Sequence, residues 1–130
     1  MTTVTETPQE KYKFYIDGLV AREQHRRQRL QQRAEEAMQV ARRAADFLRA
    51  YYGVTRVWVF GSVLEPNYFH ERSDIDLAVE GLPPEVYLQA WSLLNGGASE
   101  INSAFEIDLV TPEECRPAIW ASVEREGQPV

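Results

Sequence analysis

Cysteine is almost missing from this chain: Cys115 is the only one in 130 residues, which rules out an intramolecular disulfide and a thiolate metal cluster. Alone near an expected helix start, it reads as an inert side chain. Histidine is nearly as scarce. His25 and His70 have no second His or Cys at metal-ligand spacing, so they read as surface residues, with phosphate contact left open for His70. No apolar run approaches the roughly 20 residues that cross a bilayer, and polar Met1–Glu10 lacks the apolar stretch of a secretion signal. The expectation is a cytoplasmic protein with no membrane contact. Proline and glycine are both missing between Leu19 and Tyr51, which removes the usual helix breakers from 33 consecutive residues. Positive charge is scarce in the second part of the chain. Residues 1–50 hold 10 Lys+Arg against 7 Asp+Glu, whereas residues 51–130 hold 4 against 13 and carry −9. Such an acidic surface is a poor platform for a bare nucleic-acid backbone, so direct nucleic-acid binding is not expected. A polyphosphate bound there needs cations to mediate.

What is present suggests one small domain with one core and one site. Residues 1–18 read as a partly mobile leader, 19–52 as a long N-terminal helix and 53–130 as the core. Leu30, Ala34, Met38, Ala41, Ala45 and Leu48 recur at helical spacing and trace an apolar stripe for that core, and Gly53 stops the helix. Arg22, Arg26, Arg27, Arg29, Arg33, Arg42, Arg43 and Arg49 on the same helix read either as a solvated face or as a surface for a protein partner. Strands are expected at Val57–Phe60, Ile75–Glu80 and Phe105–Val110. A helix is expected over Pro83–Leu94, closed by Asn95-Gly96-Gly97. Another is expected over Pro112–Glu126, with Thr111 and Glu114 as a capping box and Pro117 as its weak point. Trp58, Trp91 and Trp120 read as core or interface residues.

The chemistry concentrates in three places. In Ser73-Asp74-Ile75-Asp76-Leu77-Ala78-Val79 the side chains alternate, so Asp74 and Asp76 share one face at roughly 6.5–7 Å between α-carbons. Phe105 to Val110 repeats the alternation. If the two strands are neighbours on a common core, Asp108 joins the pair. Carboxylates so arranged repel one another and raise each other's pKa unless a cation intervenes. Oxygen-only ligands suit Mg²⁺ or Mn²⁺, which complete their shells with water and substrate phosphate. Gly61-Ser62, at the end of the first strand, lets a phosphate approach the backbone and offers a hydroxyl and an N–H. A lone Asp-x-Asp is usually only solvated; Gly61-Ser62 and Asp108 in fixed order with it reverse that reading.

Val59-Phe60-Gly61-Ser62, Ser73-Asp74-Ile75-Asp76-Leu77 and Phe105-Glu106-Ile107-Asp108-Leu109 together resemble the DNA polymerase beta-like nucleotidyltransferase superfamily, in its minimal, MNT-type form, over about residues 45–127. The resemblance implies an α+β fold, a small mixed sheet flanked by helices. It implies Asp74, Asp76 and Asp108 as catalytic and metal-holding residues, and Gly61 and Ser62 as contacts for the phosphates of ATP. One departure stands out: Val63-Leu64-Glu65-Pro66-Asn67 replaces the short basic stretch that usually follows Gly-Ser. Arg72 or a partner is then expected to supply positive charge to the phosphates. Minimal members are commonly paired with a helical HEPN ribonuclease toxin. The resemblance therefore implies an antitoxin that transfers AMP from ATP to a tyrosine of that toxin. The alternatives are transfer to a small molecule or a nucleic-acid end, and an antitoxin that acts by binding without catalysis.

Overall fold

The computed structural model describes residues 7–66, 69–96, 99, 101 and 104–130. Residues 1–6 of the expected leader, Asn67 of the loop and Gly97 of the expected helix stop lie outside the described residues. Helix α1 spans Pro8–Tyr52, so the helix begins eleven residues before the expected Leu19. The reason is a capping box that outweighs Gly18. The Thr7 hydroxyl accepts from the Glu10 N–H at 3.1 Å, and the Glu10 carboxylate accepts from the Thr7 N–H at 2.9 Å, with Pro8 in the first turn. An interior glycine costs only about 1 kcal/mol relative to alanine. Gly53 ends the helix in the left-handed region, at φ 67°, with its N–H donating to the Arg49 carbonyl.

The sheet runs β3-β2-β1-β4, with β1 at Arg56–Phe60, β2 at Ile75–Glu80, β3 at Ile107–Val110 and β4 at Gln128–Pro129. β1 pairs antiparallel with β2 and β4, and β2 pairs parallel with β3. This is the α+β, mixed-sheet architecture expected from the sequence. Alternation sends Val57, Val59, Ile75, Leu77, Val79, Ile107 and Leu109 to one face, where they join Ala34, Ala37, Ala41, Ala45 and Leu48 of α1 and Ala90 and Leu94 of α2, Tyr87–Asn95. The small alanines let α1 lie close to the sheet. The other face carries a second, smaller cluster, in which Trp58, Ala78 and Val123 pack with Phe60 and Trp120 of α3, Pro117–Glu126. Trp58 and Trp120 meet edge to face at 5.5 Å. The domain thus has three layers: α1 and α2, the sheet, then α3.

Several boundaries differ from expectation for local reasons. The region after β3 is not one helix. Pro112–Glu114 form a single 3₁₀ turn, Cys115 is extended, and α3 starts at Pro117, whose missing N–H is harmless in a first turn. The Thr111 side chain makes no capping bond. The stretch after Pro83 likewise opens with a 3₁₀ turn, Pro84–Val86, before α2. β3 starts at Ile107 instead of Phe105, and the Asn95 amide holds that first residue: the Ile107 N–H donates to Asn95 Oδ1 at 2.7 Å, and Asn95 Nδ2 donates to the Ile107 carbonyl at 2.8 Å.

α1 is two different helices end to end. From Pro8 to Arg29, about 33 Å at the usual rise, it buries no side chain and leaves Tyr12, Phe14, Tyr15, Leu19 and Val20 exposed. The core stripe begins at Leu30. Its arginines divide in the same way. Arg26 and Arg27 pair only with Glu23 on the exposed arm. Nearer the core, Arg42 and Arg43 stay exposed, while Arg33 donates to the Glu71 carbonyl, Arg43 to the Ile101 carbonyl and Arg49 to the Val130 carbonyl.

Candidate active site

On the α3 face of the sheet the register brings the chemistry together. Phe60 stands opposite Asp76 across β1 and β2, and Asp76 stands opposite Asp108 across β2 and β3. Residues paired in this way point to the same side, so Asp76 and Asp108 are neighbours on the sheet surface that α3 leaves uncovered. Both are half-buried. Burial first, then the charges of Asp108 and Asp74, push Asp76 up from the ordinary carboxylate range to about 6. Burial and the charge of Asp74 raise Asp108 as well. Asp74 lies one residue before β2, and its field reaches both of the others. The structure therefore places all three expected carboxylates in one mutually repelling patch.

Asp74 is held from behind. The buried Ser73 accepts from the His70 N–H through its hydroxyl at 2.9 Å, and its own N–H donates to the His70 carbonyl at 3.0 Å. The Arg72 N–H donates to His70 Nδ1 at 3.1 Å. His70 is exposed, and its backbone and Nδ1 serve the turn. Phe69, fully buried, anchors the front of the same loop. The Ile75 N–H donates to the Glu106 carbonyl and joins the entrances of β2 and β3.

Gly61 and Ser62 open a 3₁₀ turn, Gly61–Leu64, directly after β1. Gly61 has φ +80°, a conformation that L side chains rarely adopt, and a Cβ there would stand 2.5 Å from Asp76 Oδ2. Glycine is thus required twice, once by the backbone and once by the carboxylate lying against it. Phe60, Gly61, Ser62, Leu64 and Glu65 form one wall of an open cleft of about 780 Å³, and Ala118, Ile119, Ser122, Val123 and Glu126 of α3 form the other. Asp76 borders the cleft through Gly61 without lining it, and Asp74 and Asp108 are not among the lining residues. Arg72 is exposed in the turn ahead of Asp74 and is not part of the cleft wall.

Sequence reasoning missed the α3 wall, because a helix carrying Pro117 drew attention to its boundaries instead of its faces. The signal was there: Ala118, Ile119 and Ser122 fall at i, i+1 and i+4, one side of a helix. Among the described residues no group of three or more His, Cys, Asp or Glu side chains is arranged to hold a metal ion by itself. What exists is an open, oxygen-only platform. Such a platform fits a cation that takes one or two carboxylates and finds its remaining ligands in water and substrate phosphate. Burial raises Asp76 and Asp108 most, and neighbouring carboxylates add repulsion that a bound cation would offset.

With this geometry in view, the comparisons are direct. Residues 43–130 match the family described as Polymerase beta, Nucleotidyltransferase, and the chain belongs to that family. No curated protein sequence gives a significant match. Among solved structures, the fold is similar to a chain in a crystal structure of a toxin-antitoxin with AMP-PNP, at a TM-score of 0.54 and 20% identity over 68% of this chain and 70% of that one. No helix among the described residues is long and apolar enough to cross a membrane.

Proposed function

We propose that the protein transfers AMP from ATP to a hydroxyl of a protein partner, and that this partner is a HEPN-type ribonuclease toxin modified on tyrosine. The observation that carries the transferase reading is the carboxylate patch. Asp74, Asp76 and Asp108 stand together on an open sheet face with Gly61 pressed against Asp76, inside the segment that defines the family. The protein-partner reading is supported by fold likeness to a chain from a toxin-antitoxin structure and by the exposed arm of α1. The acidic sheet end also argues against a bare nucleic-acid acceptor.

In this reading Gly61 and the Ser62 N–H and hydroxyl take the phosphates at the mouth of the cleft, and the apolar stretch of Phe60, Leu64 and Ile119 takes the base and ribose. The acceptor oxygen attacks the α-phosphorus, the bond to the β-phosphate bridging oxygen breaks, and pyrophosphate leaves. The acceptor proton passes to the carboxylate patch, with Asp108 nearest in role to a general base. A divalent cation, Mg²⁺ or Mn²⁺, held by one or two of the carboxylates Asp74, Asp76 and Asp108 and otherwise by water and phosphate, would neutralise the triphosphate and lower the acceptor's pKa. Arg72 meets the outer phosphates from the neighbouring turn.

The test of the site is binding. Calorimetry with ATP is expected to show tight binding with Mg²⁺ and at least about a 100-fold loss in EDTA, because repulsion by the carboxylate patch, in a segment (51–130) that carries −9, is no longer screened. Equal affinity without metal would remove the carboxylates from nucleotide binding.

A further inference from the structure

Arg33 stands apart from the other arginines of α1. It is half-buried, and its guanidinium lies 4.4 Å from the Phe105 ring centroid and 5.9 Å from that of Phe69. Its Nη2 donates to the Glu71 carbonyl at 2.8 Å. The two rings lie 6.2 Å apart. Each belongs to a segment that leads into an acidic strand. Phe69 begins the loop that ends at Asp74, and Phe105 lies two residues before Ile107, where β3 carries Asp108. One planar cation therefore touches both approaches to the carboxylate patch and bonds the backbone three residues before Asp74.

We infer that Arg33 is a positioning residue for the carboxylate patch, a clamp from α1 that fixes the 69–74 loop against the entrance of β3 and so sets Asp74 relative to Asp76 and Asp108. The inference deepens the nucleotidyltransferase reading and rests on it for its consequence in catalysis. The chemistry of arginine explains the choice. A guanidinium stacks its face on aromatic rings while its edge donates in plane, whereas a lysine ammonium is a strongly hydrated point charge that cannot do both. Ser73 locks the loop internally, through bonds that run to His70. Arg33 supplies the external tie.

The experiment compares wild type with Arg33→Lys, Arg33→Met and, as a control on the same helix, Arg42→Met. Arg33→Met keeps apolar cover on the rings, so it guards against loss of folding. Amide hydrogen exchange is read without ligand, and Mn²⁺ with AMP-PNP is titrated by calorimetry. AMP transfer is then measured for kcat, for the KM of ATP and for the metal concentration at half-maximal rate. In both Arg33 variants exchange is expected to rise about tenfold in residues 69–76 and little in β1, as befits one lost tie. The half-maximal metal concentration is expected to rise about tenfold and kcat to fall about as much, with the KM of ATP at saturating metal changed by less than about twofold. A purely structural role would lower the melting temperature and the active fraction while leaving exchange in 69–76, relative to β1, and the metal midpoint as in wild type. That result overturns the inference, as does an Arg42→Met profile equal to those of the Arg33 variants. If wild type itself fails to bind Mn²⁺-AMP-PNP, the transferase reading falls, and the exchange pattern alone then decides the clamp.

Discussion

Replacing Asp76 with asparagine is expected to stop AMP transfer and, in the same protein, to raise the melting temperature of the nucleotide-free form. The first effect follows from position. Asp76 is the carboxylate shared by every feature of the site: it opposes Phe60 on β1, opposes Asp108 on β3, lies against Gly61 and feels the charge of Asp74. Losing one preorganised charged group of this kind costs at least about 10²–10³ in rate. The second effect follows from the sign of its shift. Folding raises the Asp76 pKa from 3.8 to about 6, so between those values the folded state holds the proton that the unfolded state has released. Stability therefore declines as pH rises through that window, and above pH 6 the full penalty applies. Two pKa units correspond to about 3 kcal/mol, and the partial exposure of this carboxylate reduces that to roughly 1–2 kcal/mol. Asparagine removes the penalty, so at pH 7.5 the variant melts higher by several degrees, and at pH 3.5 the gain disappears. The check is thermal melting of both proteins across pH 3.5–8 without metal. A variant that melts lower than wild type at pH 7.5 would show Asp76 serving packing, not the site. Protonation has a functional consequence too: ATP binding in wild type should weaken as pH falls below about 6, because the neutral acid is a poor cation ligand.

Gly61→Ala tests the same contact from the other side. The added methyl would stand 2.5 Å from Asp76 Oδ2 on a backbone at φ +80°, so it strains the turn and displaces the carboxylate at once. Backbone strain alone costs about 1–2 kcal/mol. Displacing a reacting group by about 1 Å costs on the order of 100-fold in rate. Gly53→Ala separates the two effects: Gly53 also has positive φ, at +67°, but nothing lies within 4 Å of its Cβ position. Gly53→Ala should lose the strain share of stability in urea titration and Gly61→Ala at least as much, while only Gly61→Ala loses transfer and ATP binding by about 100-fold. Equal activity in the two would mean that the close approach of Gly61 to Asp76 has no part in the mechanism.

The parts of this protein legible in its sequence are those set by local periodicity. Strand alternation foretold which side Asp74, Asp76 and Asp108 would take, and the 75–80 strand has the expected bounds. The helix stripe from Leu30 to Leu48 packs as its spacing implied, and Gly53 stops the helix as expected. What was not legible depends on contacts between distant segments. The two-residue β4 exists only because it pairs with Trp58 and Val59 of β1. The start of β3 is held by the side chain of Asn95 in α2. Arg33 is indistinguishable in sequence from Arg26, yet one meets two buried rings and the other only Glu23. The early start of α1 was legible in Thr7-Pro8-Gln9-Glu10, whose capping pattern outweighs the helix-weakening Gly18.

The central claim is that this chain uses ATP to place AMP on a hydroxyl of a protein partner. Its most direct test is intact mass spectrometry after incubation of the protein with ATP, Mg²⁺ and a HEPN-type candidate toxin, beside parallel reactions with Asp76→Asn, with EDTA, and with RNA or small-molecule acceptors in place of the toxin. The account predicts that the toxin gains the mass of one or more AMP groups on tyrosine, with pyrophosphate released in equal number, and that neither Asp76→Asn nor the EDTA reaction shows it. An unmodified toxin together with an adenylylated nucleotide, sugar or RNA end would contradict it.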